Sequence, residues 1–366
     1  MHRKPDVYHR SQNTGKWSLI AVLFLLLSSL ACSPSLKPPA KSAFFVFRFQ
    51  PPALVELSPT AQPLREIPLS VPTGCALEDL FPPNRGANLA VELSCPFGQA
   101  VVWLNTDTGE IKQPVTDSDS HFLAWSADGD ALYLKVDSIN HPQILRVTLV
   151  GAREYLPIDE STYDIAPMSD AADFIFSFSR GMGLGSEMHL AQPDGRVVKN
   201  LAADPNFYLS FARWSADEKN IAYIRIPDSQ TPFTVGELWV MSSSGSNARK
   251  LAEADAGHGF SPAWSPDGTR LAYVRRENPN DPAADRSAGS LTSNIYIVNV
   301  QTGNVMPLTR YKDASVGSPH WSPDGNQIAF TAVMNDKMSV ILANPVSGET
   351  QQVLSASSCC AAWIQK

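Results

Sequence analysis

Four side chains in this sequence are of types that could bind a ligand or a metal: His121, His258, His320 and Arg213. Imidazoles ligate metals and exchange protons near neutral pH, and a guanidinium binds carboxylates and phosphates. Three histidines or carboxylates that converge on one point would form a catalytic metal site. Scattered single histidines are more often solvated or hydrogen-bonded. We therefore predict channel contacts, with no catalytic residue, no metal and no cofactor.

The motifs of common catalytic folds do not occur. The sequence has no Gly-x-Ser-x-Gly elbow, no His-Glu-x-x-His pair and no phosphate-binding loop. The glycine-rich segment 181–185 lies between two predicted strands with no following helix, which indicates a loop rather than a nucleotide site. The segment 116–120 lacks the fixed glycine and the distal glutamate of a calcium loop, so a turn is the better interpretation.

Four cysteines lie beyond the N-terminal region: Cys75, Cys95, Cys359 and Cys360. In the first predicted hairpin, pairing Phe81 with Leu89 would set Cys75 opposite Cys95 on adjacent strands. The two would then be close enough to bridge, unless a bulge shifts the register. The adjacent pair Cys359 and Cys360 could form a strained vicinal bridge, or Cys360 could reach Cys75 on a neighbouring sheet.

A repeated unit must position these residues. A Trp-Ser-(Ala/Pro)-Asp-(Gly/Glu) phrase occurs four times, beginning at Trp125, Trp214, Trp264 and Trp321. Pro, Asp and Gly form turns, and an alternating apolar segment follows each copy, which predicts a strand. Further strands and Gly-containing turns complete each unit, with almost no helical periodicity. Four antiparallel strands joined by tight turns make a propeller blade.

The repeats also predict the number of blades. Two degenerate copies, at 79–86 and 165–170, fill the gaps between the tryptophans, and six complete blades account for roughly residues 72–357. The segment 360–364 has the pattern of an innermost strand with nothing after it. Three N-terminal segments have the pattern of the outer strands of the same blade: 44–49, 53–57 and 65–69.

Joined, these end segments would make a seventh blade that closes the ring and removes two open sheet edges. We therefore predict an all-β fold, a seven-bladed β-propeller closed by its N- and C-terminal strands. A six-bladed ring with the N-terminal strands packed elsewhere is the alternative.

One position of the repeat departs from its own pattern. The residue before the tryptophan position is alanine in four blades, which indicates close approach of neighbouring sheets: Ala124, Ala166, Ala263 and Ala362. In two blades it is Arg213 or His320. A bulky polar group there either points into the axial channel or pairs locally, and local pairing is the simpler interpretation.

The pattern Trp-Ser-Pro-Asp-Gly-x-x-(Leu/Ile)-Ala-(Tyr/Phe), clearest at Trp264 and Trp321, resembles the WD-repeat-like blades of the TolB propeller family. The resemblance covers most of the chain from about residue 72. It implies the fold but no single function, because such blades serve scaffolds, peptidase accessory domains and binding proteins alike. TolB has an α/β domain ahead of its propeller, and we expect that domain to be missing here.

The N-terminal residues have the pattern of an export signal. A basic segment leads into the apolar run 19–27 and the small residues 28–31, and Cys32 follows in a context that resembles a bacterial lipobox. The sequence therefore predicts a lipoprotein signal peptide at 1–31, lipidated Cys32, a Pro-rich tether at 32–42 and a propeller at 43–366. A plain cleaved signal or a retained membrane anchor is the alternative. Ser33 favours the outer membrane if the cell is Gram-negative.

Charge narrows the choice of partner. The full chain has a net charge of −7, and removal of four basic residues and one acid with segment 1–31 makes the mature protein more acidic still. An acidic surface disfavours nucleic acid and anionic lipid. We expect a monomeric, envelope-anchored lipoprotein that binds an envelope protein, peptide or glycan, with the polar insertion 277–293 as a contact loop. A lyase or hydrolase with its site at the channel mouth is the alternative.

Overall fold

The computed structural model describes residues 42–96, 98–115, 119–137, 141–169, 173–256 and 260–365. Within these ranges the regular structure consists of β-strands and one short 3₁₀ helix, Ala288–Ser290. No helix in this part of the chain has the length and apolar content needed to cross a membrane.

The strands β1 to β28 have, in chain order, the bounds Ser42–Arg48, Ala53–Leu57, Pro63–Pro68, Ala76–Phe81, Asn88–Cys95, Gly98–Asn105, Ile111–Lys112, Asp119–Trp125, Ala131–Asp137, Pro142–Thr148, Arg153–Tyr155, Thr162–Pro167, Phe174–Phe178, Ser186–Ala191, Val197–Asp204, Phe207–Trp214, Asn220–Pro227, Val235–Ser242, Arg249–Asp255, Ala263–Trp264, Arg270–Arg276, Ser293–Asn299, Val305–Pro307, Ser315–Trp321, Ile328–Met334, Lys337–Ala343, Thr350–Gln352 and Ser358–Gln365.

Seven four-stranded antiparallel sheets arise from these strands. Six contain consecutive strands, from β4–β7 (blade 1) to β24–β27 (blade 6), and the seventh has the order β28-β1-β2-β3. Blade 7 therefore combines the C-terminal strand, which is innermost, with the three N-terminal strands. This confirms the seven-bladed propeller and its closure by the two ends, and the six-bladed alternative is wrong.

The strand directions define two faces of the ring. Each innermost strand (β4, β8, β12, β16, β20, β24 and β28) begins on the same face, which we call the upper face, and ends on the lower face. Because neighbouring strands are antiparallel, the connection between the second and third strands of every blade also lies on the upper face. The insertion between β21 and β22 of blade 5 is one of these connections.

The repeated tryptophans join neighbouring blades. The indole Nε1 of each donates a hydrogen bond to a carbonyl of the preceding innermost strand: Trp125 to Phe81 (2.8 Å), Trp214 to Ala166 (3.0 Å), Trp264 to Arg213 (2.9 Å) and Trp321 to Ala263 (3.1 Å). Trp363 differs, because its Nε1 has no acceptor among the described residues and its ring stacks on Phe44 instead.

The Ser-x-Asp phrase after each tryptophan fixes the turn into the second strand. In blade 2 the Ser126 hydroxyl donates to the Asp128 carboxylate (2.5 Å) and accepts from the Ala131 amide (2.9 Å). The same hydroxyl–carboxylate bond recurs at Ser215–Asp217, Ser265–Asp267 and Ser322–Asp324. The phrase therefore recurs because its Ser and Asp side chains accept hydrogen bonds from backbone amides that the turn leaves unpaired.

The core is distributed between neighbouring blades. Ala124 packs in one apolar cluster with Ile165 and Phe174 of the next blade, and Ala362 packs in another with Leu80 of blade 1. The alanine position therefore faces the following sheet, where a larger side chain would not fit between the two blades.

Candidate functional site

A cavity of about 560 Å³ opens on the upper face. Its wall is formed by the starts of the innermost strands β24 and β28, the middle of β4, and the insertion of blade 5. The residues that line it include Glu78, Asp79, Phe260, Leu291, Thr292, Asp313, Ser318, Asp336, Met338 and Cys360. The cavity thus lies at the mouth of the axial channel, between blades 5, 6, 7 and 1.

The insertion that forms one wall is held by buried polar groups. The Arg276 guanidinium, whose side chain is 1% exposed, pairs with Asp285 at 2.9 Å and donates to the Phe233 carbonyl at 3.1 Å. The Asn278 amide donates to the Ser290 carbonyl at 2.9 Å, and its oxygen accepts from the Thr292 amide at 3.1 Å. A long connection fixed in this way presents a defined surface at the cavity.

Unusual backbone is concentrated at the same place. Ser318 and Cys360 occupy the bulge of their innermost strands with φ of 49° and 60°, and Phe211 has the equivalent position in blade 4 with φ of 57°. Left-handed backbone at a non-glycine residue costs about 1 kcal/mol or more and is enriched at functional sites. Close packing adds a further constraint, because a Cβ added at Gly317 would lie 2.1 Å from the Phe260 ring.

Carboxylates dominate the polar lining of the cavity. Glu78, Asp313 and Asp336 are exposed at the rim, and no Lys, Arg or His is among the described lining residues. Asp79 lies deeper, where burial raises its pKa to about 6 although the Leu80 amide donates to it at 2.8 Å. The mouth therefore carries a negative charge that increases as the pH rises above 6.

His121 lies in a second acidic group, between blades 1 and 2. Its Nδ1 is 3.5 Å from Glu92 Oε1, and its Nε2 is 3.9 Å from Asp137 Oδ2. Burial raises the pKa of Glu92 to about 7, with further contributions from the nearby Glu78 and Asp79 carboxylates, while the Phe122 amide opposes this by donating to it at 3.3 Å. Glu92 thus changes its protonation state near neutral pH beside a half-exposed imidazole.

Arg213 and His320 form a third group. Arg213 Nη1 lies 3.5 Å from Asp164 Oδ1 of blade 3 and donates to the Ala212 carbonyl at 2.7 Å. Asp164 is buried, which raises its pKa, and its second oxygen accepts from the Ala212 amide at 2.8 Å. For His320, burial and the nearby Arg213 charge lower the pKa to about 4, so the imidazole is neutral at physiological pH.

Two predicted site residues lie outside the described residues: Cys32 and His258. Of the other channel candidates, Arg213 is near enough for its charge to lower the pKa of His320, whereas His121 belongs to the separate group with Glu92. Among the described residues no group of three or more His, Cys, Asp or Glu side chains could hold a metal ion.

The structure brings the cysteines together in two pairs. The sulfur atoms of Cys75 and Cys95 are 2.06 Å apart, and those of Cys359 and Cys360 are 2.22 Å apart. The register that we predicted for the first hairpin is wrong by one residue, since Phe81 pairs with Ala90. A bulge between Leu77 and Asp79 then shifts the pairing back, which is why Cys75 still faces Cys95.

Sequence reasoning missed the acidic residues that complete these groups, namely Asp79, Glu92, Asp164, Asp313 and Asp336. Asp79 and Asp164 lie on predicted innermost strands close to the tryptophan position, where apolar residues are usual. A carboxylate at such a position is the signal by which the sequence could have identified them. Asp313 and Asp336 lie in connections that carry no such pattern.

Seven radial sheets with a cavity at one mouth define the class of protein as a seven-bladed β-propeller. Comparison with known proteins narrows this class. Residues 183–333 match the family described as TolB beta propeller domain. Over these residues the chain is similar to TolB-type propellers.

Relatives match over short segments. The uncharacterized peptidase YuxL of Bacillus subtilis is 33% identical over 25% of this chain and 13% of its own length. The Tol-Pal system protein TolB of Alcanivorax borkumensis is 36% identical over 20% of this chain and 14% of its own length. The chain thus matches only a small part of either relative.

Solved structures match over most of the ring. A puromycin-hydrolyzing peptidase of Mycobacterium tuberculosis aligns with a TM-score of 0.60 and 15% identity, over 86% of this chain and 51% of that one. An oligogalacturonate lyase in complex with manganese aligns with a TM-score of 0.56 and 16% identity, over 86% of each chain. At these identities the likeness concerns the fold alone.

Proposed function

We propose that this propeller is a binding module of the cell envelope that takes a basic segment of a partner protein at its upper mouth. The observation that carries the proposal is the cavity lined by Glu78, Asp79, Asp313 and Asp336 without a basic residue among its described lining. Carboxylates around a concave surface attract Lys and Arg side chains and steer their approach.

The floor of the cavity fits the same ligand class. Phe260, Leu291 and Met338 supply apolar surface between the carboxylates. Lys and Arg carry long aliphatic stems that pack on such surface while their charged ends reach acidic groups at the rim. The fixed insertion of blade 5 and the left-handed residues Ser318 and Cys360 support a preformed site, which lowers the entropic cost of binding.

The cellular location is also part of the proposal. The N-terminal pattern and Cys32 support export and attachment to a bacterial membrane by lipid, and the similarity to a Tol-Pal system protein is consistent with an envelope partner. The acyl chains would hold the protein at the membrane, so the propeller itself needs no membrane-binding surface. We propose a monomer, because β28 and β1 pair with each other within the described residues and so neither terminal strand is left to pair with a second copy.

A matched pair of variants tests the mouth. The soluble fragment 42–366 is compared with Asp313→Asn/Asp336→Asn, which removes two exposed carboxylates, and with Glu154→Gln/Glu349→Gln, which removes two exposed carboxylates on outermost or lower-face segments. Affinity is measured on an array of Lys- and Arg-containing peptides. We expect the mouth variant to bind at least tenfold more weakly and the control to stay within twofold. Equal affinities for all three proteins would contradict the proposal.

One observation favours a second candidate, a lyase or hydrolase. Glu92 has a pKa of about 7 beside the half-exposed His121, which is the arrangement that general acid–base catalysis requires. Incubation of the fragment with oligogalacturonate and with mixed peptides, followed by mass spectrometry, would detect turnover. Products that form with the unchanged protein and disappear with Glu92→Gln would establish an enzyme. If neither oligogalacturonate nor the peptides are turned over, binding remains the proposed function.

A further inference from the structure

Arg213 and His320 stand where the repeat otherwise places alanine. Ala124, Ala166 and Ala362 pack against the following blade in apolar clusters. Arg213 does not take that direction, because its guanidinium reaches back to Asp164 of the preceding blade. Its side chain is 40% exposed, so it lies in solvent-accessible space on the innermost layer of the ring.

His320 stands two blades further along, and only Ala263 separates the two residues at this position of the repeat. The indole of Trp264 bonds to the Arg213 carbonyl, and that of Trp321 bonds to the Ala263 carbonyl. These two bonds tie the three innermost strands together at the level of Arg213 and His320.

Several hydrogen-bond donors of Arg213 and His320 have no acceptor among the described residues. Of the guanidinium nitrogens, Nη1 contacts Asp164 and the Ala212 carbonyl, and no described group accepts a hydrogen bond from Nε or Nη2. The His320 imidazole has no hydrogen-bond partner among the described residues either. Arg guanidinium groups bind planar carboxylates with two parallel hydrogen bonds, and an imidazole adds a third donor.

We propose that Arg213 and His320 form an anion-binding site in the axial channel that takes a carboxylate group of a ligand. The buried Asp164 positions the guanidinium through Nη1, and the remaining donors face the ligand. Neither Arg213 nor His320 lines the acidic mouth. The test is independent of the proposed function, because it measures binding of small carboxylates and not of basic peptides.

Histidine NMR spectra of fragment 42–366 provide the readout. The probes are acetate, glucuronate and acetyl-Gly-Gly with a free carboxylate, and the matched control is acetyl-Gly-Gly amide. We expect a saturable shift of the His320 signal with the carboxylates and none with the amide. A bound anion favours imidazolium, so the His320 pKa should rise by about one unit or more. Response to glucuronate alone would assign a sugar acid, and response to the peptide alone would assign a peptide carboxylate.

Arg213→Ala introduces the residue that four other blades carry, and we expect at least tenfold weaker binding. Arg180→Ala, at a 65% exposed arginine on the upper face, removes the same charge outside the channel and should leave affinity within twofold. If Arg213→Ala fails to fold because Asp164 loses its partner, Arg213→Ala/Asp164→Asn serves in its place. Unchanged binding in the folded Arg213 variant, or an equal response to the amide, would overturn the proposal.

Discussion

Trp363 stacks on Phe44 with ring centroids 4.1 Å apart and an interplanar angle of 22°. The two residues are partners in the register between β28 and β1, which joins one end of the described chain to the other. The contact replaces the inter-blade indole bond that the other repeated tryptophans make. This strand pairing and the aromatic stack therefore join the two ends of the described chain, which makes their part in ring closure directly testable.

Substitution of the closing aromatic should weaken the whole ring. We expect Trp363→Ala to lower the free energy of unfolding by about 3 kcal/mol, because it removes the stack and leaves a cavity beside Phe44. Denaturant unfolding followed by circular dichroism measures the change. Val346→Ala, at an 87% exposed lower-face turn, should stay within about 0.5 kcal/mol. A loss confined to blade 7, with the other blades unfolding as before, would contradict this dependence.

Glu92 should make stability depend on pH. Its pKa rises from 4.5 unfolded to about 7 folded, so the folded state holds the proton more tightly. The associated stability is present below pH 4.5 and is lost as the pH rises through 7. Glu92→Gln keeps an oxygen for the Phe122 amide and removes the charge. Between pH 4 and pH 8, the free energy of unfolding of Glu92→Gln should rise by on the order of 2 kcal/mol relative to that of the unchanged protein.

Asp128 provides a control of opposite sign. The Ser126 hydroxyl lowers the pKa of its carboxyl below 3.8, so its contribution is present above that pH and is lost in acid. Asp128→Asn should therefore destabilise the protein more at pH 7 than at pH 3. Thermal melting measures the stability of both variants as a function of pH. If their stabilities change with pH in the same direction, the net charge of the protein and not the local environment of each carboxyl determines the effect.

The Cys75–Cys95 disulfide remains a prediction that the geometry allows. It would close a loop with a sequence separation of 20, and Cys75→Ser/Cys95→Ser should cost about 3 kcal/mol of unfolding free energy. Cys359→Ser/Cys360→Ser is the matched control, because a bridge between adjacent residues closes almost no loop. Mass spectrometry after alkylation without reductant checks the bonding. Free thiols at Cys75 and Cys95 in the exported protein would refute the bridge.

The lipid anchor predicts a simple fractionation result. We expect the exported protein to incorporate labelled palmitate and to accumulate as precursor with globomycin. Cys32→Ser should abolish the label and release the protein into the soluble fraction, because the acyl chains supply the membrane affinity. Membrane association that persists in Cys32→Ser would point instead to a retained N-terminal anchor.

The sequence by itself determined the blade and predicted seven blades closed by the two ends, whereas the strand order in the structure excluded the six-bladed alternative. These features follow from local rules that recur along the chain: turn residues after each tryptophan, alternation in the strands, and complementary end segments. The Trp264 and Trp321 copies are clear enough to recognise the blade type, and the departure at Arg213 and His320 is visible because four other blades have alanine.

Only the tertiary structure decided which chemistry meets at the channel. Asp164 lies in a different blade from Arg213, and Glu92 in a different blade from His121, so no spacing along the chain reveals either pair. Strand bulges are equally hidden in the sequence. The extra residue in β4 gives Phe81 and Cys75 different registers against β5, and no local pattern predicts it. Repeats fix the geometry within a blade, whereas the angle and depth at which seven blades present their polar side chains depend on packing across all of them.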